Sequence, residues 1–415
     1  MSDLIPGQGN GPAPAQDTAL PQDTALPQDT ALAHADEVAA GFRELYGSEP
    51  EGIWAAPGRV NLIGEYTDFN GGFVMPLALP HTAVAAVSAR TDGVLRVHSA
   101  DMEGPALRLD LATLAPGADT GWAGYLTGVV WVLRTSGYDV GGADIHLAST
   151  VPTGAGLSSS AALEVVTALA LDDLFSFGID RAELARIGQR AENDFVGVPT
   201  GIMDQTASAR CTAGHVLHLD TRDLSARQVP FDLPAHGLDL LVFDTRVQHA
   251  LGDGAYAERR AGCEEGARLL GVDQLRDVPF ETLPQALEKL DDERVRRYVR
   301  HVVTEDERVE NVARLLDAGE IRAVGQVLTE GHRSLRDDLR VSAPELDLVV
   351  ETAVRAGALG ARMTGGGFGG SAIVLVDAGL VEPVKAEVRR AFAEAGHREP
   401  RVFSAVPSEG ARRVR

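Results

Sequence analysis

Two glycines and three consecutive serines, Gly154-Ala155-Gly156-Leu157-Ser158-Ser159-Ser160, form the stretch of this chain best suited to hold an anion. The glycines free the backbone for tight turns, and the serines open a run rich in Ala and Leu that favours a helix. A loop that turns into a helix aims unpaired amides and the positive end of the helix dipole at one point. The plain alternative is one serine capping a helix after a glycine turn. Three hydroxyls exceed that need. No lysine lies in the loop, so it differs from the Walker type, and for a nucleotide the positive charge must come from a metal ion or a distant arginine.

Two further segments carry carboxylates among glycines. Ala56 to Gly72 places Arg59, Glu65 and Asp68 close together, a set whose carboxylates can accept hydrogen bonds from sugar hydroxyls or sit on a solvated turn. Glu192 and Asp204 flank Gly197-Val198-Pro199-Thr200-Gly201, an irregular stretch after which Asp204 either caps a helix or meets a substrate hydroxyl. Hard oxygen ligands such as Glu192 suit Mg²⁺. A fourth segment, Thr364 to Gly370, has five glycines around Phe368, a composition that lets one backbone lie close to another or to phosphate.

The elements that must position these groups are legible in outline. Val38, Phe42 and Tyr46 recur at helical spacing up to Gly47. Ala83 to Ser88 and Val94 to Ser99 flank Asp92-Gly93, which predicts a hairpin, and Leu107, Leu109 and Leu111 alternate as a strand. Trp122 to Leu133 reads as a buried helix, and Ile145 to Val151 as the strand feeding the serine loop. His215 to Asp220 and Ala226 to Phe231 predict a hairpin, with a domain boundary near Thr212 to His215. Helical patterns follow over Ala255 to Leu270, Val295 to Val303, Val309 to Leu316 and Leu346 to Ala356. Strands at Ala358 to Met363 and Ser371 to Val376 then flank the last glycine segment, before a helix at Val384 to Ala395 and a strand at Arg401 to Val406. The whole predicts an α+β protein whose second half is a split βαβ unit.

A chain of 415 residues favours two domains. The expected division is a disordered tail at 1–33, a first domain at 34–213 and a second at 214–415. Within the tail Gln-Asp-Thr-Ala-Leu recurs from Gln16, Gln22 and Gln28, too short a period for a solenoid unit. A formal charge of −22 with no basic stripe argues against nucleic acid. No apolar run is long enough for a bilayer and the start does not resemble a signal peptide, so a cytoplasmic protein with no membrane partner is expected. Two cysteines, Cys211 and Cys263, are too few for a disulfide framework.

The four glycine-bearing segments, taken in their order along the chain from Ala56, resemble those of the galactokinase family within the GHMP small-molecule kinases. The resemblance runs from about Asp36 to the C-terminus. It implies a two-domain fold, an S5-like first domain and a ferredoxin-like second one, with the active site between them. It implies ATP-dependent phosphorylation of α-D-galactose at its anomeric hydroxyl, the first committed step of the Leloir pathway, with Mg²⁺ as cofactor and a monomer as the acting form. Carried over by position, Asp204 is the catalytic aspartate and Arg59 its partner. Glu65, Tyr66, Thr67, Asp68, Gly201 and Tyr256 fall at sugar-contacting positions. Gly154, Ala155, Gly156, Leu157, Ser158, Ser159 and Ser160 would hold the triphosphate, Ser99 the nucleoside, and Ser160 with Glu192 the metal. Tyr66 stands where most relatives carry histidine. A sibling kinase for another sugar and a silent sugar sensor are the rivals. Asn70-Gly71-Gly72 and the intact serine loop favour the kinase for galactose.

Overall fold

The computed structural model describes residues 30–118, 120–248 and 252–415. The sequence repeat before residue 30 lies outside them. Its third copy ends inside helix α1 (Thr30–Tyr46), where Ala31 is fully buried.

The first half is built on a six-stranded sheet. Five of its strands are β1 (Gly52–Asn61), β3 (Pro76–Ala89), β4 (Val94–Ser99), β5 (Leu107–Asp110) and β6 (Ala143–Ser149), the sixth arrives from the C-terminal end of the fold, and β2 (Phe73–Val74) lies apart. Alternation along β1 divides its two faces. Ile53 and Ala55 pack with Val38 and Phe42 of α1, whereas Trp54 and Ala56 face the main core. Trp54 Nε1 donates to Asp173 on that side, 2.6 Å away. The strand β4 expected to form a hairpin with β3 does not touch it. β6 inserts between them, antiparallel to β3 and parallel to β4. Arg90 N and Gly93 N, at the turn itself, donate to Gly142 O and Gly141 O, so the incoming strand outcompetes the local pairing. Helix α2 (Gly124–Thr135) supplies the crossover that a parallel pair requires.

Helix α3 (Ser159–Phe175) follows β6 and the serine loop and is buried on nearly every side. Helix α4 (Arg181–Arg190), a π-turn at Ala191–Val196 and helix α5 (Met203–Arg210) pack beside it. The predicted hairpin at β7 (His215–Asp220) and β8 (Ala226–Pro230) forms, and β7 pairs with β2. By its hydrogen bonds this hairpin therefore belongs with the first half, although it follows the expected boundary.

The second sheet comprises β9 (Leu238–Gln248), β10 (Gly360–Thr364), β11 (Gly369–Asp377) and β12 (Arg401–Ser404), all antiparallel in the order β10-β11-β9-β12. Between β9 and β10 run α6 (Gly252–Leu270), α7 (Leu283–Glu288), α8 (Glu293–Asp317), α9 (Val324–Ser334) and α10 (Pro344–Arg355), and α11 (Val381–Ala395) follows β11. The two helical patterns at 295–316 are one 25-residue helix, because Glu305 and Asp306 between them are buried and accept from Gly64 N and Phe73 N instead of marking a turn. Leu241, Phe243 and Val374 share a core with α10 and α11, while Leu240, Val242 and Ile373 join the core of the first sheet. A short last strand, β13 (Arg412–Arg413), returns to pair with β1.

Candidate active site

A bulge in β1 brings the first segment to the serine loop. The register against β3 shifts between Pro57 and Arg59, which re-aims the strand. Arg59 N then donates to Leu157 O at 3.1 Å, and a Cβ on Gly58 would lie 2.6 Å from the same oxygen. Glycine at 58 is what permits this approach. Arg59, 5% exposed, reaches Asp204 through two parallel bonds, Nε to Oδ1 at 2.9 Å and Nη2 to Oδ2 at 2.8 Å. Its Nη1 donates to Gly156 O at 2.7 Å. One guanidinium thus fixes both the aspartate and the turn of the serine loop, a bidentate task that lysine could not do.

Neither capping alternative holds. Ser158 takes left-handed angles (φ 59°) and makes no cap bond; its hydroxyl donates to Asp204 Oδ2. Asp204 lies within α5 rather than at its cap, which is Ile202. Both side chains turn toward one point at the mouth of the serine loop.

Behind that point lie two more carboxylates. Glu192 is held by the Ser160 hydroxyl and by Gln205 Nε2 at 2.9 Å, and Gln205 Nε2 also reaches Glu164 Oε2 at 2.9 Å. Burial, reinforced by the charge of Asp204, pushes the Glu192 carboxyl up to about 7. Burial and the neighbouring Glu192 likewise push Glu164 well up, and Glu164 Oε1 has no partner. Crowded, half-satisfied carboxylates beside serine hydroxyls suit a hard cation. Among the described residues no three His, Cys, Asp or Glu side chains are grouped to hold a metal by themselves. An ion here would need further oxygen ligands from a nucleotide.

The sugar-type carboxylates of the first segment divide in their surroundings. Asp68 lies close to Asp204 and Arg59, and burial followed by the Asp204 charge pushes its carboxyl up to about 6. Gly201 abuts it, and a Cβ there would overlap the Asp68 carboxylate. Glu65, 1% exposed, accepts from Arg362 Nη2 on one oxygen and from Gly365 N at 3.3 Å on the other. Thr67 is fully buried, with its hydroxyl 2.8 Å from Gly64 O and 2.7 Å from Phe73 O, so it braces its own loop. Tyr66 donates from its phenol to Gly366 O at 2.6 Å, while its ring packs 5.2 Å from that of Tyr256 and 6.0 Å from that of Phe69. The phenolic proton that could have met a sugar is therefore directed into the last glycine segment. Ser99 ends β4 and accepts from Asp101 N at 3.2 Å; no hydrogen bond links it to the serine loop.

The last glycine segment lies on the serine loop, backbone against backbone. Cβ atoms on Gly365 and Gly370 would come within 2.9 Å of Gly156 O and 3.1 Å of Ala155 O. Ser371 Oγ donates to Ala155 O at 2.8 Å.

Several residues of this site were absent from the sequence reading. Arg362 and Glu305 form the buried ion pair next to Glu65, at 2.7 Å, and Asp306 accepts from Phe73 N at 2.8 Å. The signals were available: an arginine in the apolar strand β10, and an acidic pair between two apolar runs of α8.

The arrangement has recognisable relatives. The GHMP kinases N terminal domain model matches residues 124–211, the galactokinase galactose-binding signature 40–89, and the GHMP kinases C terminal model 312–394. A galactokinase of Streptomyces coelicolor is 67% identical over 383 residues, 92% of this chain and 99% of that one. A galactokinase of Mycobacterium tuberculosis is 45% identical over 362 residues, 87% and 99% of the two chains. The crystal structure of Lactococcus lactis galactokinase complexed with galactose is 32% identical and aligns at a TM-score of 0.88, covering 92% of this chain and all of that one. A mevalonate kinase structure, 19% identical, aligns at 0.58 over 86% of this chain and 99% of that one, a likeness of fold alone. The α+β architecture is thus the two-domain GHMP kinase fold, and with relatives this similar along almost its whole length the chain belongs to the galactokinase family.

Proposed function

We propose that the chain transfers the γ-phosphoryl group of ATP to the anomeric hydroxyl of α-D-galactose, giving galactose 1-phosphate and ADP. The observation that carries this is the Arg59 to Asp204 pair, bonded on one side to the serine loop through Gly156 O and Ser158 and bordered on the other by Asp68. A phosphate cradle and a hydroxyl-accepting carboxylate meet there at one acidic group, the geometry a sugar kinase needs.

Asp204 orients the anomeric hydroxyl and takes its proton as the oxygen-to-phosphorus bond forms and the bond to ADP breaks. Phosphoryl transfer passes through a loose transition state, so holding the hydroxyl in line contributes as much as removing its proton. Arg59 keeps Asp204 aimed through its two parallel bonds, and the amides and hydroxyls of Gly154 to Ser160 hold the triphosphate. Asp68, Glu65 and Tyr256 present the polar and aromatic surface for the sugar. Tyr66 and Thr67 shape that surface through packing and loop bonds. Ser160 and Glu192 would hold Mg²⁺, which when bound neutralises charge on the phosphate oxygens.

The test is ADP release by the purified chain over a panel of sugars with ATP and Mg²⁺. Galactose is expected to turn over best. Preference for another monosaccharide, or no turnover with galactose, would overturn the assignment.

A further inference from the structure

Helix α8 and strand β10 hold the segment Gly64 to Phe73, and their grip centres on Glu65. Arg362 is fully buried, and its Nη2 donates to both Glu65 Oε2 and Glu305 Oε1. Glu305, also fully buried, accepts from Gly64 N at 3.0 Å and from Arg308 Nη1 at 2.8 Å. His301 Nε2 lies 3.1 Å from Glu65 O, and burial pulls its imidazole down to about 4, which leaves it neutral. Burial raises the Glu305 carboxyl, but Arg362 and Arg308 outweigh burial and hold it well below the usual carboxylate range.

Such a cluster is an expensive way to stabilise a fold. Ion pairs this deep return little net stability compared with apolar packing, while removing one partner strands the other. A carboxylate offers about four acceptor sites. The donors from Arg362 and Gly365 leave room on Glu65 for another hydroxyl, and they fix the plane in which it must arrive.

We propose that Arg362, backed by Glu305, is a positioning residue for the sugar, holding the Glu65 carboxylate where it accepts a substrate hydroxyl. The inference rests on Glu65 being a sugar contact. Burial, only partly offset by Arg362, pushes the Glu65 carboxyl up to about 7, so the guanidinium also helps keep the acceptor charged. Because the same strand leads into Gly365 and the serine loop, one buried arginine sets the sugar side of the site from the strand that supports its phosphate side.

The test is a double-mutant cycle on the full chain, reading KM for galactose and for ATP in Glu65→Gln, Arg362→Lys and the pair. Each single substitution is expected to raise the galactose KM by about tenfold, the scale of one charged hydrogen bond, with the ATP KM within about twofold. Arg362→Lys should add no further loss once residue 65 is Gln. Additive losses in the pair would overturn the proposal and leave Glu65 as a sugar contact. An unchanged galactose KM in Glu65→Gln would instead remove Glu65 from the sugar, and the proposal with it. Should Arg362→Lys not fold, Glu305→Gln takes its place, with an expected galactose KM rise of about threefold that again vanishes behind Glu65→Gln. Persistence of that rise in the pair overturns the proposal equally.

Discussion

Gly201 and Asp68 occupy one another's space: a Cβ built on Gly201 would fall 1.5 Å from Asp68 Oδ2. The absence of a side chain at 201 is what lets the carboxylate stand beside Asp204. Gly201→Ala should therefore push Asp68 out of place and lower kcat/KM for galactose by about a hundredfold, as a misplacement near 1 Å typically does. ATP affinity should hold, since Asp68 makes no bond to the serine loop. Steady-state kinetics with each substrate varied in turn measures both, and an unchanged kcat/KM for galactose would contradict the steric argument.

Asp204→Asn keeps the shape of the side chain but replaces one oxygen with a group that cannot accept a proton. Turnover should fall by on the order of a hundredfold or more, with the fold and ATP binding retained. Pre-steady-state measurement of the chemical step is the direct check, and near-normal rates would remove Asp204 from the mechanism.

Glu192→Gln should raise the Mg²⁺ concentration for half-maximal activity roughly tenfold or more while leaving the galactose KM within about twofold. Metal binding can also be followed without turnover, by the Mg²⁺ dependence of nucleotide affinity. An unchanged titration would place the metal elsewhere.

Asp306 offers a pH prediction. Burial pushes its carboxyl up to about 8, although Phe73 N donates to it. A folded value above the unfolded one means that its contribution is fully present below the unfolded value of about 4 and is lost as pH rises through about 8. Thermal stability should thus decline as pH rises from about 4 to about 8 and level off above that, and Asp306→Asn, which keeps the acceptor for Phe73 N, should decline less. Parallel curves for the two proteins would show that Asp306 does not titrate in that range.

Tyr66→Phe deletes only the hydroxyl that bonds Gly366 O. Stability should drop by about 1 kcal/mol, the usual scale for one hydrogen bond, with the preference for galactose over glucose intact. That preference is expected to be at least about a hundredfold in catalytic efficiency, because an inverted hydroxyl leaves a buried carboxylate short of a partner. A changed ranking of sugars in the Phe variant would make the phenol a determinant of choice.

Local chemistry was the part legible in the sequence. Glycine spacing marked the serine loop and the last glycine segment because a backbone that must touch another backbone excludes side chains, and this holds wherever the strands end up. Arg59, Asp204 and Glu192 stood out as charges among glycines. The β3 to β4 hairpin was misjudged because a turn signal reports only local preference, and a strand from fifty residues downstream took the pairing edge. Arg362 and Glu305 went unseen for a related reason. Their partner Glu65 lies 297 residues from Arg362 in sequence, so an arginine in an apolar strand shows that a partner is needed but not which one. Tyr66 was recognised as unusual, but the direction of its phenol depended on where Gly366 arrives.

The closing strand β13 has a consequence for how the chain is made. It is synthesised after β1 to β12, yet its partner is β1, and Arg413 donates to Glu51 O across 362 residues. Leaving the ribosome, the nascent protein must carry the outer edge of its first sheet uncovered until Arg412 and Arg413 have been made. That edge belongs to the strand that bears Arg59, so this arginine sits on an element whose flank is sealed only by a strand from the far end of the fold, and a product lacking β13 would expose an unpaired strand to other chains.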